Sequence, residues 1–175
     1  MANFDLEFTY PREWTLVATG HQVSDTARDG LRVSRWVSER PMPLAGFNLG
    51  HYQRAMAKGV VPVEVYASEG VETAMGVPKQ DVVTSITPRG PGPNTALLPL
   101  PSPEPASNAQ ALAARVEKGV NTLATEMGPY PYGSLVISQM PGPLSQGWPG
   151  LIFLSSYAFL TREEMQRTKL GTASN

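Results

Sequence analysis

The stretch "GPYPYGSLVISQMPGPLSQGWPGLIFLSS", from Gly128 to Ser156, contains two apolar runs that are separated by a loop of turn-forming residues. The runs predict two strands, one from Ser134 to Met140 and one from Leu151 to Leu160. From Pro143 to Ser156 the sequence has no Cys, His, Asp, Glu or Lys, so it offers no obvious catalytic group. Any function of this strand pair must therefore come from its position in the fold.

The N-terminal part of the chain has the pattern of β-structure. In "FDLEFTY", from Phe4 to Tyr10, apolar and polar residues alternate, which is typical of a strand with one buried and one solvent-exposed face. In "VVPVEVYAS", Val61, Val63, Val65 and Ala67 fall on one face. Further strands are predicted in "WTLVATG" (14–20), "LRVSRWVSE" (31–39) and "LAGFNLGHYQRA" (44–55). Short strands at this spacing predict a sandwich or a mixed sheet.

A proline-rich connector and one amphipathic helix follow. Seven of the eighteen residues from Pro88 to Pro105 are proline, which excludes helix and central strand. Ser107 with Gln110 predicts a capping box that starts a helix, and Gly128 with Pro129 predicts its end. The apolar stripe of this helix comprises Leu112, Val116, Val120, Leu123 and Met127.

The predicted fold class is α+β and mostly β, with a β-sandwich-like N-terminal part. We predict a β-rich part at 1–87, the connector at 88–105, and a part at 106–175 with the helix, two strands and a short second helix. Thr161 and Glu164 form a capping box that is predicted to start this second helix.

Composition excludes several classes of function. The net charge of −1 gives no broad electrostatic field that would attract nucleic acid. The absence of Cys excludes disulfides and thiolate metal sites. Met1–Tyr10 lacks the basic start and apolar run of a signal peptide. The longest apolar stretch falls short of the roughly 18 to 20 residues that a membrane span needs. These observations leave the compartment open.

Local motifs predict no catalytic and no metal-binding residue. The two histidines, His21 and His51, are far apart in sequence, and neither has a partner at helical spacing. There is no HExxH zinc motif and no G-x-S-x-G nucleophile motif. Glu163 and Glu164 are adjacent carboxylates, but in the first turn of a helix they serve the helix dipole.

The order of the segments nevertheless resembles the gluzincin aminopeptidases, the family of aminopeptidase N and leukotriene hydrolase. Its members have a β-domain followed by a thermolysin-like catalytic domain. The phrases that carry the resemblance are "RPMPLAGFNLGHY" (40–52), "VPVEVYASEG" (61–70), "GPYPY" (128–132), "SLVISQMP" (134–141) and "WPGLIFLSS" (148–156). The resemblance covers nearly all of the chain, and it implies that residues 106–175 open a thermolysin-like domain.

The resemblance also implies a substrate-binding loop. The family's G-x-M-E-N motif falls on Leu144 to Trp148, so Ser145, Gln146, Gly147 and Trp148 are the candidate substrate-binding residues. The family's Glu, which holds the α-amine of the substrate, falls on Gly147. Classical aminopeptidase specificity is therefore not expected, although the backbone of such a loop is able to bind an extended peptide.

Zinc is implied for a full-length parent but not for this chain. The HExxH and the third zinc ligand of the family would follow Leu160, and the sequence reaches Asn175 without them. We therefore expect a central fragment of a metallopeptidase-like protein that is inactive alone. The alternatives are a non-catalytic peptide- or protein-binding module, and a structural domain with a coincidental likeness. We also expect a homo-oligomer, because truncation would expose an apolar face of Leu151, Phe153, Tyr157 and Phe159.

Overall fold

The computed structural model describes residues 1–71 and 103–167, which form ten β-strands and two α-helices. This confirms the predicted α+β, mostly β, class. Most of the predicted connector lies outside the described residues, and the predicted division at 87 and 105 stays a prediction. No helix among the described residues is both long and apolar enough to cross a membrane.

The N-terminal strands form two small antiparallel sheets. Strands β1 (Asp5–Pro11), β4 (Leu31–Val37) and β3 (His21–Arg28) pair in that order, and β2 (Thr15–Ala18) pairs with β5 (Phe47–Gly50). The alternation predicted for β1 is confirmed, since its carboxylates are exposed while Tyr10 is buried. Tyr10, Leu16 and Ala18 form the centre of a core between these sheets.

The second part of the fold is a mixed five-stranded sheet with the order β6-β7-β8-β10-β9. Its strands are β6 (Gln53–Ala57), β7 (Val63–Ala67), β8 (Leu135–Met140), β9 (Gln146–Trp148) and β10 (Leu151–Ser155). Strands β7, β8 and β10 are parallel, whereas β6 and β9 run antiparallel at the two edges. This sheet takes strands from both sides of the proline-rich connector.

Helix α1 (Pro105–Met127) covers one face of this sheet. Val63, Val65 and Ala67 are buried on this face as predicted, against Ala109, Leu112 and Ala113 of the helix. The predicted helical stripe is buried only in part, since Leu123 is 54% and Met127 82% exposed. A helix of this length spans about 34 Å, whereas the short strands beneath it span about 20 Å. Its last turns therefore extend past the sheet.

The N-terminal strands contact the opposite face of the sheet. Val17 of β2 packs there with Leu151 and Phe153 of β10, and all three are buried. Phe159 is buried on the helix side, and Tyr157 is partly buried. The prediction of an exposed apolar face at these positions is wrong, because the N-terminal strands and α1 cover them. The homo-oligomer was expected because this face would be exposed, so the structure gives no support for that reason.

Several predicted element boundaries are wrong. Residues 44–55 include strand β5 and only the first three residues of β6, and these two strands belong to different sheets. The strand predicted from Leu151 ends at Ser155, and a 3₁₀ turn follows at Ser156–Phe159. Helix α1 begins at Pro105 rather than after Ser107, because proline suits a first helical position. The Ser107 hydroxyl donates to the carbonyl of Glu104 at 2.7 Å instead of capping.

Helix α2 (Arg162–Arg167) begins with the predicted capping box. The Thr161 amide donates to Glu164 Oε2 at 2.7 Å, and the Glu164 amide donates to Thr161 Oγ1 at 3.1 Å. Asn108 of α1 also donates to Glu164 Oε2, at 3.1 Å. Burial alone would raise the pKa of the Glu164 carboxyl, but these hydrogen bonds outweigh it and the pKa is lowered.

The lowered pKa of Glu164 predicts an acid-sensitive contribution to stability. A carboxyl whose pKa is lower in the folded chain stabilises the fold above its unfolded pKa, which for Glu is about 4.3. That contribution is lost as pH falls through the folded pKa. We expect Glu164→Gln, which keeps an acceptor oxygen but no charge, to lower the melting temperature at pH 6 more than at pH 3. Glu163→Gln is the control, since it removes the same charge and keeps Glu164. A Glu164→Gln deficit of equal size at both pH values would contradict this explanation.

Candidate functional site

Strand β9 forms the outer edge of the five-stranded sheet and belongs to a tight hairpin with β10. Residues Trp148 and Leu151 are paired across a two-residue turn made by Pro149 and Gly150. Gly150 has φ +76°, so this Pro-Gly pair fits a type II turn, in which the third residue needs a positive φ. The Gly150 carbonyl accepts a hydrogen bond from the amide of Val136 at 2.9 Å, which ties the turn to β8.

The register of this hairpin determines which backbone groups of β9 are available. Trp148 and Leu151 close the hydrogen-bonded turn, so their backbone N–H and C=O groups point toward each other. Hydrogen-bonded and non-hydrogen-bonded pairs alternate in antiparallel sheets. The next pair, Gly147 with Ile152, is therefore of the non-hydrogen-bonded kind. The amide and the carbonyl of Gly147 consequently point to the open edge.

Open space surrounds the Cα of Gly147. A Cβ built on this residue would meet no heavy atom of residues 1–71 or 103–167 within 4 Å, its chain neighbours aside, and its φ lies outside the left-handed region. Glycine is therefore not required here by packing or by backbone conformation. Gln146 is exposed beside it. Ser145 is exposed as well, so three of the four predicted substrate-binding residues lie where a ligand has access, whereas Trp148 is partly buried.

Two of the four predicted residues, Ser145 and Trp148, also hold the hairpin in place. The Ser145 hydroxyl accepts a hydrogen bond from the amide of Ser155 at 3.0 Å. The Trp148 side chain packs with Phe153 against the N-terminal strands. A Cβ on Gly46 would lie 3.0 Å from the Phe153 ring and 3.6 Å from Trp148 Nε1, so a glycine at position 46 permits this close approach.

A buried glutamine ties together the carboxyl ends of the parallel strands. Gln139 of β8 is only 1% exposed. Its Oε1 accepts from the amide of Ser68, just after β7, and its Nε2 donates to Ser156 Oγ, just after β10, both at 2.8 Å. Asn48 of β5 donates to the Gln139 carbonyl at 3.2 Å. Buried polar groups need partners of this kind, and here they also connect three strands and the N-terminal part.

An open cleft of about 420 Å³ lies at the carboxyl end of β7, near the β5–β6 connection. It is lined by Glu13, Thr15, His51, Tyr52, Gln53, Ser68 and Glu69. A neighbouring cleft of about 360 Å³ shares His51, Tyr52 and Ser68 with it. Sequence reasoning missed these clefts, because their residues come from three separate segments. The ring of His51 lies 5.1 Å from that of Trp14.

Neither the clefts nor the β9 edge offers a zinc site within the described residues. Residues 1–71 and 103–167 contain no group of three or more His, Cys, Asp or Glu side chains that could hold a metal ion. Zinc needs three or four such ligands around one point. This part of the chain therefore does not fit a catalytic zinc.

Comparisons with known proteins identify the fold. No family model and no curated protein matches the sequence. Among solved structures, the chain is similar to an M1 zinc metallopeptidase from Deinococcus radiodurans, with 17% identity and a TM-score of 0.57 over 95% of this chain and 32% of that one. A mutant of that enzyme bound to a Tyr-Ser-Ala substrate matches with 17% identity and a TM-score of 0.58, over 95% of this chain and 33% of that one. A two-domain M1 mutant bound to L-arginine matches with 17% identity and a TM-score of 0.59, over 94% and 32%. The chain spans about a third of the length of these structures and has the fold of the part that it matches.

Proposed function

We propose that this chain supplies the peptide-binding edge of a zinc-metallopeptidase-like protein, and that Gly147 lies at the centre of this edge. The observation that carries the proposal is the outward amide and carbonyl of Gly147, which stand on an edge strand beside open space. An extended peptide is able to pair with such an edge as an added strand. The shared fold supports the proposal, because one of the similar metallopeptidases was solved with a tripeptide substrate bound.

Three contacts that hold the β9–β10 hairpin in place make this edge suitable for binding. Trp148 is packed against Phe153, Ser145 is bonded to Ser155, and the Gly150 carbonyl is bonded to Val136. An edge that is already ordered loses little conformational entropy when a peptide pairs with it. Peptide affinity then depends chiefly on the backbone hydrogen bonds that the edge offers.

The catalytic zinc of the proposed parent belongs to residues other than those described. The proposal therefore assigns peptide binding, and no hydrolysis, to this chain by itself. The second candidate function is a non-catalytic peptide- or protein-binding module that uses the same edge. The two differ only in whether a zinc-bearing part acts on the bound peptide.

Replacing Gly147 with proline tests the binding edge. Proline removes the outward amide hydrogen, and edge strands tolerate it where that hydrogen faces solvent. We expect Gly147→Pro to weaken binding of an extended hexapeptide of alternating Thr and Val at least tenfold in calorimetry. Gly147→Ala is the matched control, because it keeps the amide hydrogen and has space for its methyl group. The circular dichroism spectrum of each variant verifies its fold. Equal affinities for the folded proline and alanine variants would refute the proposed edge.

Zinc loading tests the assignment of catalysis to other residues. We expect the 175-residue chain to retain less than about 0.1 equivalent of zinc after chelation, incubation with Zn²⁺ and dialysis, because its described residues lack a ligand set. Elemental analysis measures the metal, and a fluorogenic peptide assay measures hydrolysis. One retained equivalent of zinc together with hydrolysis would show that the chain carries a catalytic site of its own.

A further inference from the structure

The half of the sheet that carries the binding edge is built from uncharged sequence. From Met127 to Thr161 the chain contains no Asp, Glu, Lys, Arg or His. This stretch includes β8, β9 and β10, so the three strands nearest the open edge have no side chain of fixed charge. Such a long neutral stretch is unusual in a chain with 29 Asp, Glu, Lys and Arg residues, all of which lie outside it.

The ionisable side chains within this stretch are tyrosines. Burial, followed by the neighbouring Tyr132 and Glu39, raises the pKa of the Tyr130 hydroxyl to about 12. Among the described residues, Glu39 and Glu164 contact the stretch by accepting from backbone amides, Glu39 from Gly133 at 3.0 Å and Glu164 from Thr161 at 2.7 Å. Both contacts lie outside the β9–β10 hairpin.

The absence of charged side chains on these strands bears on whether the edge favours a peptide with a free N-terminus. A free α-amine carries a positive charge, and an exposed strand without a carboxylate offers it no ion pair that would favour its binding over that of a blocked end. Backbone pairing, by contrast, is the same for an internal segment and for a blocked terminus. The open space at Gly147 contains no carboxylate of the strand itself to attract an ammonium group.

We infer that the β9 edge binds extended peptide segments without a free amino terminus, that is, internal or N-terminally blocked segments, through backbone hydrogen bonds alone. The inference rests on the proposed function and specifies its substrate class. Gly147 is the residue that determines this specificity, because it leaves the position beside the outward amide uncharged. The edge is therefore suited to internal stretches of a polypeptide and not to the trimming of free N-termini.

A pair of peptides tests the inference on the full 175-residue chain. The probes are the hexapeptide of alternating Thr and Val as a C-terminal amide, once with a free amine and once N-acetylated. Calorimetry at 50 mM and 500 mM NaCl measures both dissociation constants. We expect the acetylated peptide to bind at least as tightly as the free one, and both constants to change less than twofold with salt.

The outcomes separate the inference from the proposed function. A free-amine peptide that binds more than threefold tighter than the acetylated one overturns the inference but leaves the binding edge intact. A failure of both peptides to bind overturns the proposed function and, with it, the inference. Affinities that fall strongly with salt also overturn the inference, since they require charged contacts.

A gain of charge at Gly147 provides the second test. We expect Gly147→Glu to create a preference for the free-amine peptide of roughly 1.5- to fivefold, the range of an exposed ion pair. Gly147→Gln, of nearly the same shape but without charge, should show no such preference. Equal behaviour of the two variants would overturn the assignment of specificity to Gly147.

Discussion

Parallel strands such as β7 and β8 cannot be joined by a tight turn, so the chain must leave the sheet, cross one face and return. Helix α1 lies on the face that this crossing covers, and its small residues Ala109 and Ala113 pack closely on the strands. The β-branched residues of β7 and β8 fill the space beneath it, with Val63, Val65 and Ile137 all buried. This crossover places β8 next to β7 in parallel, and the remaining strands add to this pair. Strand β10 adds in parallel to β8, and the β9–β10 hairpin then places β9 at the edge.

The opposite face of the sheet explains why the edge hairpin is rigidly placed. Phe153 and Trp148 pack on the N-terminal strands, and Gln139 connects the ends of β7 and β10 through Ser68 and Ser156. The side chains of Phe153, Gln139 and Ser156 are buried, and together they orient a strand that presents the backbone of Gly147 and the exposed Gln146 outward. Loss of the Ser156 hydroxyl would remove a hydrogen bond from the buried Gln139 amide, at a cost of roughly 0.5 to 1.5 kcal/mol. The position of Gly147 therefore depends on packing and hydrogen bonds behind the edge strand.

The sequence predicts strands that have one buried face and helices that begin with a capping box. The alternation at Val61, Val63, Val65 and Ala67 predicted a buried strand face, and Thr161 with Glu164 predicted a helix start; both are confirmed. Strand β3 could not be predicted, because all eight of its residues are exposed and no alternation marks it. Strand β9 is three residues long and contains a glycine, so its pairing is determined by the turn and by β10 rather than by its own propensity. The family resemblance located Gly147, whereas only the register shows that its backbone faces outward. The clefts near His51 arise from tertiary contacts that no local pattern encodes.

Amide hydrogen exchange at β9 tests the central claim most directly, because it reports on each backbone hydrogen separately. In the free chain, the Gly147 amide should exchange rapidly, while the Trp148 amide, which points inward, is protected. Saturation with the N-acetylated hexapeptide should slow exchange at Gly147 at least tenfold and leave Trp148 nearly unchanged. Protection of Gly147 in the free chain, or unchanged exchange at Gly147 in the saturated complex, would contradict the account of an open backbone edge that binds peptide.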